Sequence, residues 1–532
     1  MRAPWLAIIA GCIATDPIIQ KTATSDTTRF VFWAGLEGSG HHGVKTIGER
    51  CAKTELCDVP RDAWAALVDL HRVNSDPGSL SRNGSIYVLG YQAADRVAAA
   101  RRGFAARLGA LAESKTSTLV FLNGVKLPGM GMLSYPSGGA ARKSLTRPDA
   151  RTLAAVAEAA RADLRVVVLR RSAAAIVRST VNHRRFGAHD GAGHARQLAT
   201  LAENAAALAA QLSLVDASFF RCVDYDNLGD ARAWGATAAW LHPGLGGGGL
   251  ADLLADVRPA AAAPAAERDV HFDHFNATLA VLDGHCGAPV PRLVKRATSP
   301  TTRFLFLAAL DGSPVAGRFD ETLEFDDAAT ALGDRTDADV ARARARLVAD
   351  LRARRGAGGF VGLAAVRAAD EAPPQWMRLT GAAGRPDVAA LAALAEDAGA
   401  DLRVLVVDAA APAARRLRAA RGGRAAAARA SDDVARRHPA AQAAAVRAQG
   451  AAVVASQLAR LDAAFVRCAA ADAATAAWVH PDLGAAGLAA LLRRAGAAAP
   501  GAPRDAAGAG DVHAAHAAAY VGVARRAARC PA

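Results

Sequence analysis

Short runs of apolar and β-branched residues alternate along this chain with longer alanine- and leucine-rich stretches of helical character. Phe30–Ala34, Thr118–Leu122 and Arg165–Leu169 read as buried strands, and Asp149–Ala162, between the last two, reads as a helix. Continuous apolar strands separated by helices predict an α/β fold, a central parallel sheet covered on both faces. After Ala34 the chain breaks into Gly35-Leu36-Glu37-Gly38-Ser39-Gly40 and then resumes a helical pattern. A buried strand, a glycine-rich turn and a helix N-terminus bring several backbone N–H groups around one anion.

The pattern occurs twice. TTRFVFWAGLEGSG from Thr27 returns as TTRFLFLAALDGSP from Thr301, and RPDARTLAAVAEAARADLRVVVL from Arg147 returns as RPDVAALAALAEDAGADLRVLVV from Arg385. QLSLVDASFFRC, ending at Cys222, returns as QLARLDAAFVRC, ending at Cys468; the Trp-x-His-Pro of His242 returns at His480, and DVHFDHF from Asp269 returns as DVHAAHA from Asp511. Matches at Trp, His and Cys in constant order mean a duplicated domain, not shared alanine richness. The expected architecture is two tandem P-loop-type, three-layer α/β domains with central parallel sheets. Their expected bounds are 26–290 and 301–532, with 291–300 as a linker and 1–25 as a signal peptide or anchor and linker. The second copy also carries biased stretches such as RGGRAAAARA from Arg421, for which no packed core is expected.

Composition changes this picture in two ways. The net charge of +14 favours acidic partners such as nucleotides or sulfated glycans, but the arginines are dispersed and form no basic stripe interleaved with aromatics. Nucleic acid is therefore not expected as a partner. Met1-Arg2 followed by the short apolar stretch Ala3–Ala14 has the form of a signal peptide, too short to span a bilayer. The secretory pathway follows as the expected address, Golgi lumen or secreted, with membrane contact only through an uncleaved N-terminus.

Gly35 and Gly40 have the spacing of a Walker A loop, yet His41 and His42 stand where its Lys and Ser/Thr belong. The loop suits a phosphate without the groups that hold magnesium on a nucleoside triphosphate. Downstream, DLRVVVLRRSAAAIVRSTVNHRRFG from Asp163 reads as a buried strand, an arginine pair at its carboxyl end, and a helix presenting Ser179. An arginine and a hydroxyl at the carboxyl end of a strand suit a second phosphate.

These features in this order resemble the sulfotransferases that use 3′-phosphoadenosine 5′-phosphosulfate (PAPS). Ser39-Gly40 looks like the loop for the donor's 5′-phosphosulfate, and Arg171 with Ser179 looks like the pair for its 3′-phosphate. LVFLNGVKLP, ending at Pro128, lies where the family's Lys-Thr-His-Leu-Pro segment is expected, and FFRCVDYDNL from Phe219 is similar to its late strand and Tyr-Glu-Asp-Leu. The resemblance covers about 200 residues of the first copy. It implies PAPS as donor, no metal, and a hydroxyl- or amine-bearing acceptor such as a glycan, peptide or lipid. Gly38, Ser39, Gly40, His41, His42, Arg171 and Ser179 would hold the donor. This sequence departs from the family at two positions: the usual loop lysine falls at Gly38, and the usual catalytic histidine at Lys126. His41, His42 or Lys126 could supply the missing positive charge, and Glu37, either histidine or Lys126 could take the acceptor's proton. Two other readings stand beside it: a non-catalytic nucleotide- or glycan-binding protein on the same fold, and a P-loop kinase.

The second copy has lost these groups. Pro314 replaces Gly40, Val315 and Ala316 replace the histidines, Ala409 replaces Arg171, and Leu417 replaces Ser179. It reads as an inactive domain kept for packing or partner binding. The pairs His271/His274 and His513/His516, retained in both copies, read as structural, as do His242 and His480. Six cysteines remain beyond the signal, and the duplication makes their pairing readable: Cys222–Cys286 and Cys468–Cys530, one per copy, with Cys51–Cys57 closing a local loop. An even number, together with the sequons at Asn83 and Asn276, fits a glycoprotein of an oxidising compartment.

Overall fold

The computed structural model describes residues 18–530 except 37, 52, 55, 59–93, 115–117, 123–148, 185–190, 246–247, 256, 258–267, 313–314, 316–318, 333–334, 367–385, 408–438 and 495–511. Its strands form two five-stranded sheets in which every pairing is parallel. The first holds β1 (Thr28–Ala34), β2 (Cys57–Asp58), β3 (Thr118–Phe121), β4 (Asp163–Arg170) and β5 (Phe220–Asp224), in the order β2-β3-β1-β4-β5. The second holds β6 (Thr302–Ala309), β7 (Thr322–Asp326), β8 (Gly359–Val366), β9 (Leu402–Val407) and β10 (Val466–Cys468), in the order β10-β9-β6-β8-β7. Equating β1 with β6 and continuing in sequence makes the two orders the same. The expected tandem α/β architecture is what the chain adopts.

Helices cover both faces of each sheet. In the first copy these are α1 (His41–Cys51), α2 (Ala94–Ser114), α3 (Ala150–Ala159), α4 (Ala173–Arg184), α5 (Gly191–Leu212), α6 (Ala231–Leu241), α7 (Gly248–Leu254) and α8 (Val270–Gly284). The second copy carries α9 (Asp337–Arg354), α10 (Val388–Ala398), α11 (Pro439–Ala459), α12 (Ala473–Val479), α13 (Gly484–Arg494) and α14 (Val512–Ala527). Strand β1 shows why the pattern reads as it does. Phe30, Phe32 and Ala34 enter one core with Phe104, Leu153, Leu201 and Phe275, while Val31 and Trp33 enter the other with Val44, Ile47, Trp234 and Leu253. Period-two alternation with both faces apolar belongs to a strand in the middle of a three-layer domain.

Each copy begins before its first strand. Ile19 donates its N–H to Leu214 O at 2.9 Å, and Leu293 donates its own to Arg460 O at 2.8 Å. Lys21 reaches the buried Asp163 at 2.7 Å, and Lys295 reaches the buried Asp401 at 2.8 Å. Burial lowers both lysine pKa values, and the carboxylates oppose that shift. Residues 291–300, expected as the linker at the junction of the repeats, therefore join the copies and also pack on the second one. Likewise the last residues of the segment read as a leader and linker, from Ile18 onward, pack on the first copy; residues 1–17 lie outside the described residues.

All three expected disulfides form: Cys51–Cys57, Cys222–Cys286 and Cys468–Cys530, with Cα–Cα distances of 5.0, 5.6 and 5.3 Å. The two long ones tie the middle of β5 to the chain just past α8, and the end of β10 to the chain just past α14. Three bridges fit a secreted or lumenal protein. Among the described residues no helix is long and apolar enough to cross a membrane.

Candidate functional site

Ligands in open parallel sheets gather where the chain turns in opposite directions from two adjacent strands. Here β1 and β4 are neighbours at the centre; the chain leaves β1 toward β2 and β3 on one side, and leaves β4 toward β5 on the other. Their carboxyl ends carry the two segments that the sequence singled out, the loop 35–40 and Arg170–Arg171. The topology therefore brings the glycine loop and the arginine corner together.

The loop is shaped by two glycines. Gly38 has φ +86° and Gly40 φ +126°, backbone that L side chains rarely adopt. A Cβ on Gly38 would lie 2.8 Å from the carbonyl oxygen of Ile176, and one on Gly40 would lie 2.0 Å from a ring carbon of Tyr225. Both backbones are pressed against neighbouring structure, α4 in one case and the end of β5 in the other.

Arg171 is the link between the two segments. Its Nη1 donates to Gly38 O at 2.6 Å, and its guanidinium carbon sits 4.3 Å from the centroid of Tyr225. Burial lowers its pKa and Tyr225 and Asp226 oppose the shift; a guanidinium is cationic at physiological pH. Among the described residues its Nε, which is buried, has no hydrogen-bond partner. Ser179, on α4, flanks the same spot: its Cβ lies 3.2 Å from the place a Gly38 Cβ would take. Ser172 starts α4 by accepting the Ala175 N–H on its hydroxyl.

Other expected site residues are arranged differently. The Ser39 side chain is buried, and its hydroxyl donates to Leu36 O at 2.6 Å, so it braces the loop from inside. Only one member of the arginine pair faces the loop. Arg170 points to the opposite face of the sheet and holds Asp224 in two-pronged fashion, Nε to Oδ1 at 2.8 Å and Nη2 to Oδ2 at 2.9 Å. Beside that pair burial raises the pKa of Asp283, an effect Arg170 opposes. His41 and His42 open α1 directly after Gly40. Their side chains, with Glu37 and Lys126, lie outside the described residues.

Sequence reasoning missed Tyr225. It follows β5 directly, supports Arg171 with its ring and closes over Gly40. The stretch FFRCVDYDNL was visible as a strand and motif, but nothing local says that its tyrosine meets a glycine 185 positions earlier.

The equivalent corner of the second copy is built differently. Asp311, in the place of Glu37, is buried and paired with Arg447 of α11 at 3.5 Å. Gly312, in the place of Gly38, is pressed so closely on Gly450 that a Cβ would lie 3.0 Å from its Cα. Pro314, Ala409 and Leu417 lie outside the described residues.

The repeated histidines take structural positions. His242 is buried at the end of α6; its Nδ1 accepts the Gly244 N–H at 3.0 Å and its Nε2 meets Thr27 O at 3.1 Å. An accepting Nδ1 requires the Nε2–H tautomer, which donates to Thr27, and burial lowers the imidazole pKa in keeping with a neutral ring. His480 Nδ1 accepts the Asp482 N–H in the same way at 3.3 Å. His271 meets Arg335 O at 2.8 Å, and His274 lies 2.8 Å from Asp387. Among the described residues no cluster of three or more His, Cys, Asp or Glu could hold a metal ion.

Compared with protein-family models, curated proteins and solved structures, the chain finds no match in any of the three.

Proposed function

We propose that the first copy is a PAPS-dependent sulfotransferase acting in the lumen of the secretory pathway, in the Golgi or after secretion, on a hydroxyl or amine of a glycan, peptide or lipid. The observation that carries this reading is the docking of Arg171 onto Gly38 O at 2.6 Å at the switch point, with Ser179 beside it. The donor fits this corner on one test. Among the described residues Arg171 Nε is a buried donor with no hydrogen-bond partner, the kind of group a phosphate oxygen satisfies.

In this reading Arg171 and Ser179 hold the 3′-phosphate, and the backbone of Gly38, Ser39 and Gly40, with the first N–H groups of α1 at His41 and His42, holds the phosphosulfate. The donor supplies the activated sulfuryl group. The chain must supply positive charge at the leaving oxygen, from His41, His42 or Lys126. It must also supply a base for the acceptor's proton, from Glu37, either histidine or Lys126. Titration with 3′,5′-adenosine bisphosphate in a calorimeter tests the site, and transfer of labelled sulfate from PAPS to acceptor panels tests the reaction. No binding of the bisphosphate would sink the reading.

One observation favours a second reading, a non-catalytic nucleotide- or glycan-binding protein on the same fold. The Ser39 hydroxyl is spent on Leu36 O and the Tyr225 ring covers Gly40, which narrows the loop. Binding of the bisphosphate without sulfate transfer to any acceptor would select it. A P-loop kinase ranks below both, and magnesium dependence of binding would be its mark.

A further inference from the structure

The contact between the two copies has a two-fold pattern. His274 of α8 in the first copy lies 2.8 Å from Asp387, the residue that caps α10 in the second. His516 of α14 in the second copy lies 3.2 Å from Asp149, the residue that caps α3 in the first. His274 and His516 are equivalent in the repeat, and so are Asp149 and Asp387. Residue i of one copy thus meets residue j of the other, and j of the first meets i of the second, the signature of an isologous interface. Near the axis of such an interface equivalent residues meet each other. Glu203 and Gln449 are equivalent, and Gln449 Nε2 donates to Glu203 Oε2 at 3.1 Å.

The apolar contact is shared as well. Ala210 and Leu214 of the first copy are buried in the core of the second, and Ala459 packs against the core of the first. Arg526 of the second copy also donates to Ser213 O of the first at 3.3 Å. Among the described residues every disulfide lies within one copy, and the main chain near 287–292 is the covalent link between the two. The second copy has kept Asp387, His516 and Gln457, which bonds the N-terminus of α10 as Gln211 bonds that of α3. Over the same span it has lost Gly40, Arg171 and Ser179. What survives is the interface and its support; what is gone is the set of residues expected to hold a phosphate.

We propose that the chain is a two-fold dimer fused into one polypeptide, and that the second copy serves as the permanent partner subunit of the first, held by the α5–α11 contact and the two reciprocal His–Asp pairs. The proposal does not depend on what the first copy binds. Each pair sets an imidazole against a buried carboxylate that also caps a helix. Losing the imidazole removes one of the groups that oppose the buried carboxylate and leaves Asp387 to Arg460 and Asp149 to Arg151, a costly way to weaken such a contact.

The test cuts the full chain. A protease site replaces the exposed junction Pro291-Arg292, the protein is folded intact and then cleaved, and the association of the halves is measured by size-exclusion chromatography and sedimentation at neutral pH. The halves are expected to stay together at micromolar concentration. His274→Ala and His516→Ala should each raise their dissociation constant at least tenfold, and the double variant at least a hundredfold, since the pairs share no residue. His274→Gln with His516→Gln keeps a donor for each carboxylate and should recover most of the loss. Halves that separate on cleavage of the unsubstituted protein would overturn the proposal. So would single variants that act on one side only, because a two-fold interface needs both. Should an alanine variant fail to fold, the glutamine pair decides, and halves of that folded pair that separate like an unlinked mixture would likewise overturn it.

Discussion

Removal of Arg171 is the most direct perturbation of the candidate site. The side chain makes one charge-assisted hydrogen bond to Gly38 O at 2.6 Å and one cation–π contact with Tyr225 at 4.3 Å, in a half-buried position. For folding, these are worth about 1–2 kcal/mol together, because the group is partly solvated and one contact is to a neutral carbonyl. For binding, Arg171 would meet a phosphate, and a hydrogen bond lost together with its charge removes about 2–3 kcal/mol. Arg171→Ala should therefore weaken binding of 3′,5′-adenosine bisphosphate by roughly 30- to 150-fold while leaving most of the protein folded. Calorimetry gives the affinity, and a thermal melt of the same sample gives the folded fraction. Arg171→Lys separates charge from shape: it keeps the cation and loses the planar group that lies on Tyr225, so an intermediate loss is expected. Added salt should weaken the unsubstituted protein more than Arg171→Ala, because only the former has that charge to screen. A folded Arg171→Ala protein with unchanged affinity would remove the residue from the site and with it the main support for the proposed donor.

Three further outcomes follow from particular contacts. Gly40→Ala forces a Cβ to within 2.0 Å of the Tyr225 ring at φ +126°, and should destabilise the first copy by about 3 kcal/mol; Tyr225→Ala should relieve the clash but not the backbone strain, and full recovery would refute the strain. Cys222→Ser with Cys286→Ser opens a loop of 64 residues and should lower stability by about 4 kcal/mol in the chain-entropy picture, against about 2 kcal/mol for the six-residue loop of Cys51–Cys57; equal losses in denaturant titrations would contradict that ordering. Burial raises the pKa of Asp149 and Asp387, but neighbouring His516, Thr152 and Arg151 in one case and Arg460 and His274 in the other outweigh it, leaving both carboxyls well below their ordinary value. Carboxyls depressed on folding add stability that is fully present above the unfolded value near ~4 and is lost as pH falls below it. Asp149→Asn should therefore flatten the acid limb of the stability curve below about pH 4, and an unaltered limb would show that the pair contributes nothing there.

Much of the fold was legible because duplication repeats each signal. Phe30 and Phe32 against Val31 and Trp33 mark a strand buried on both faces, and the same alternation at Phe304 to Leu307 repeats it. The cysteine pairing was readable for the same reason, since Cys222 and Cys468 close matching strands. What escaped lacks a local signal. Strand β2 is only Cys57–Asp58, with no apolar run to announce it. Residues 291–300 fall at the junction of the repeats and so read as a linker, and only the three-dimensional structure brings Lys295 to Asp401. In the site, the closeness of Arg171 to the glycine loop followed from strand order. The diversion of Arg170 to Asp224 depends on which face of β4 each arginine takes, and that parity was not read from the run of arginines.

The two copies also serve as each other's control for where function resides. Both hold the same scaffold contacts at nearly the same distances. Arg29 donates to Ala239 O and Trp240 O at 3.0 Å each, and Arg303 to Ala477 O and Trp478 O at 2.7 and 3.0 Å. Arg165 lies 5.1 Å from the Trp240 ring, and Arg403 5.2 Å from that of Trp478. If the glycine loop and the arginine corner were needed only to finish the fold, the second copy could not have dropped Gly40, Arg171 and Ser179 while keeping strand order, disulfide and caps. It dropped them and answered the buried acid of its own loop, Asp311, with Arg447 from inside the domain. A loop acid neutralised from within no longer needs a cation from the β4 corner or from a ligand. The first copy carries Leu201 where the second has Arg447. On the proposed reading the chemistry belongs to the first copy's crevice, because the fold on either side of it is the same.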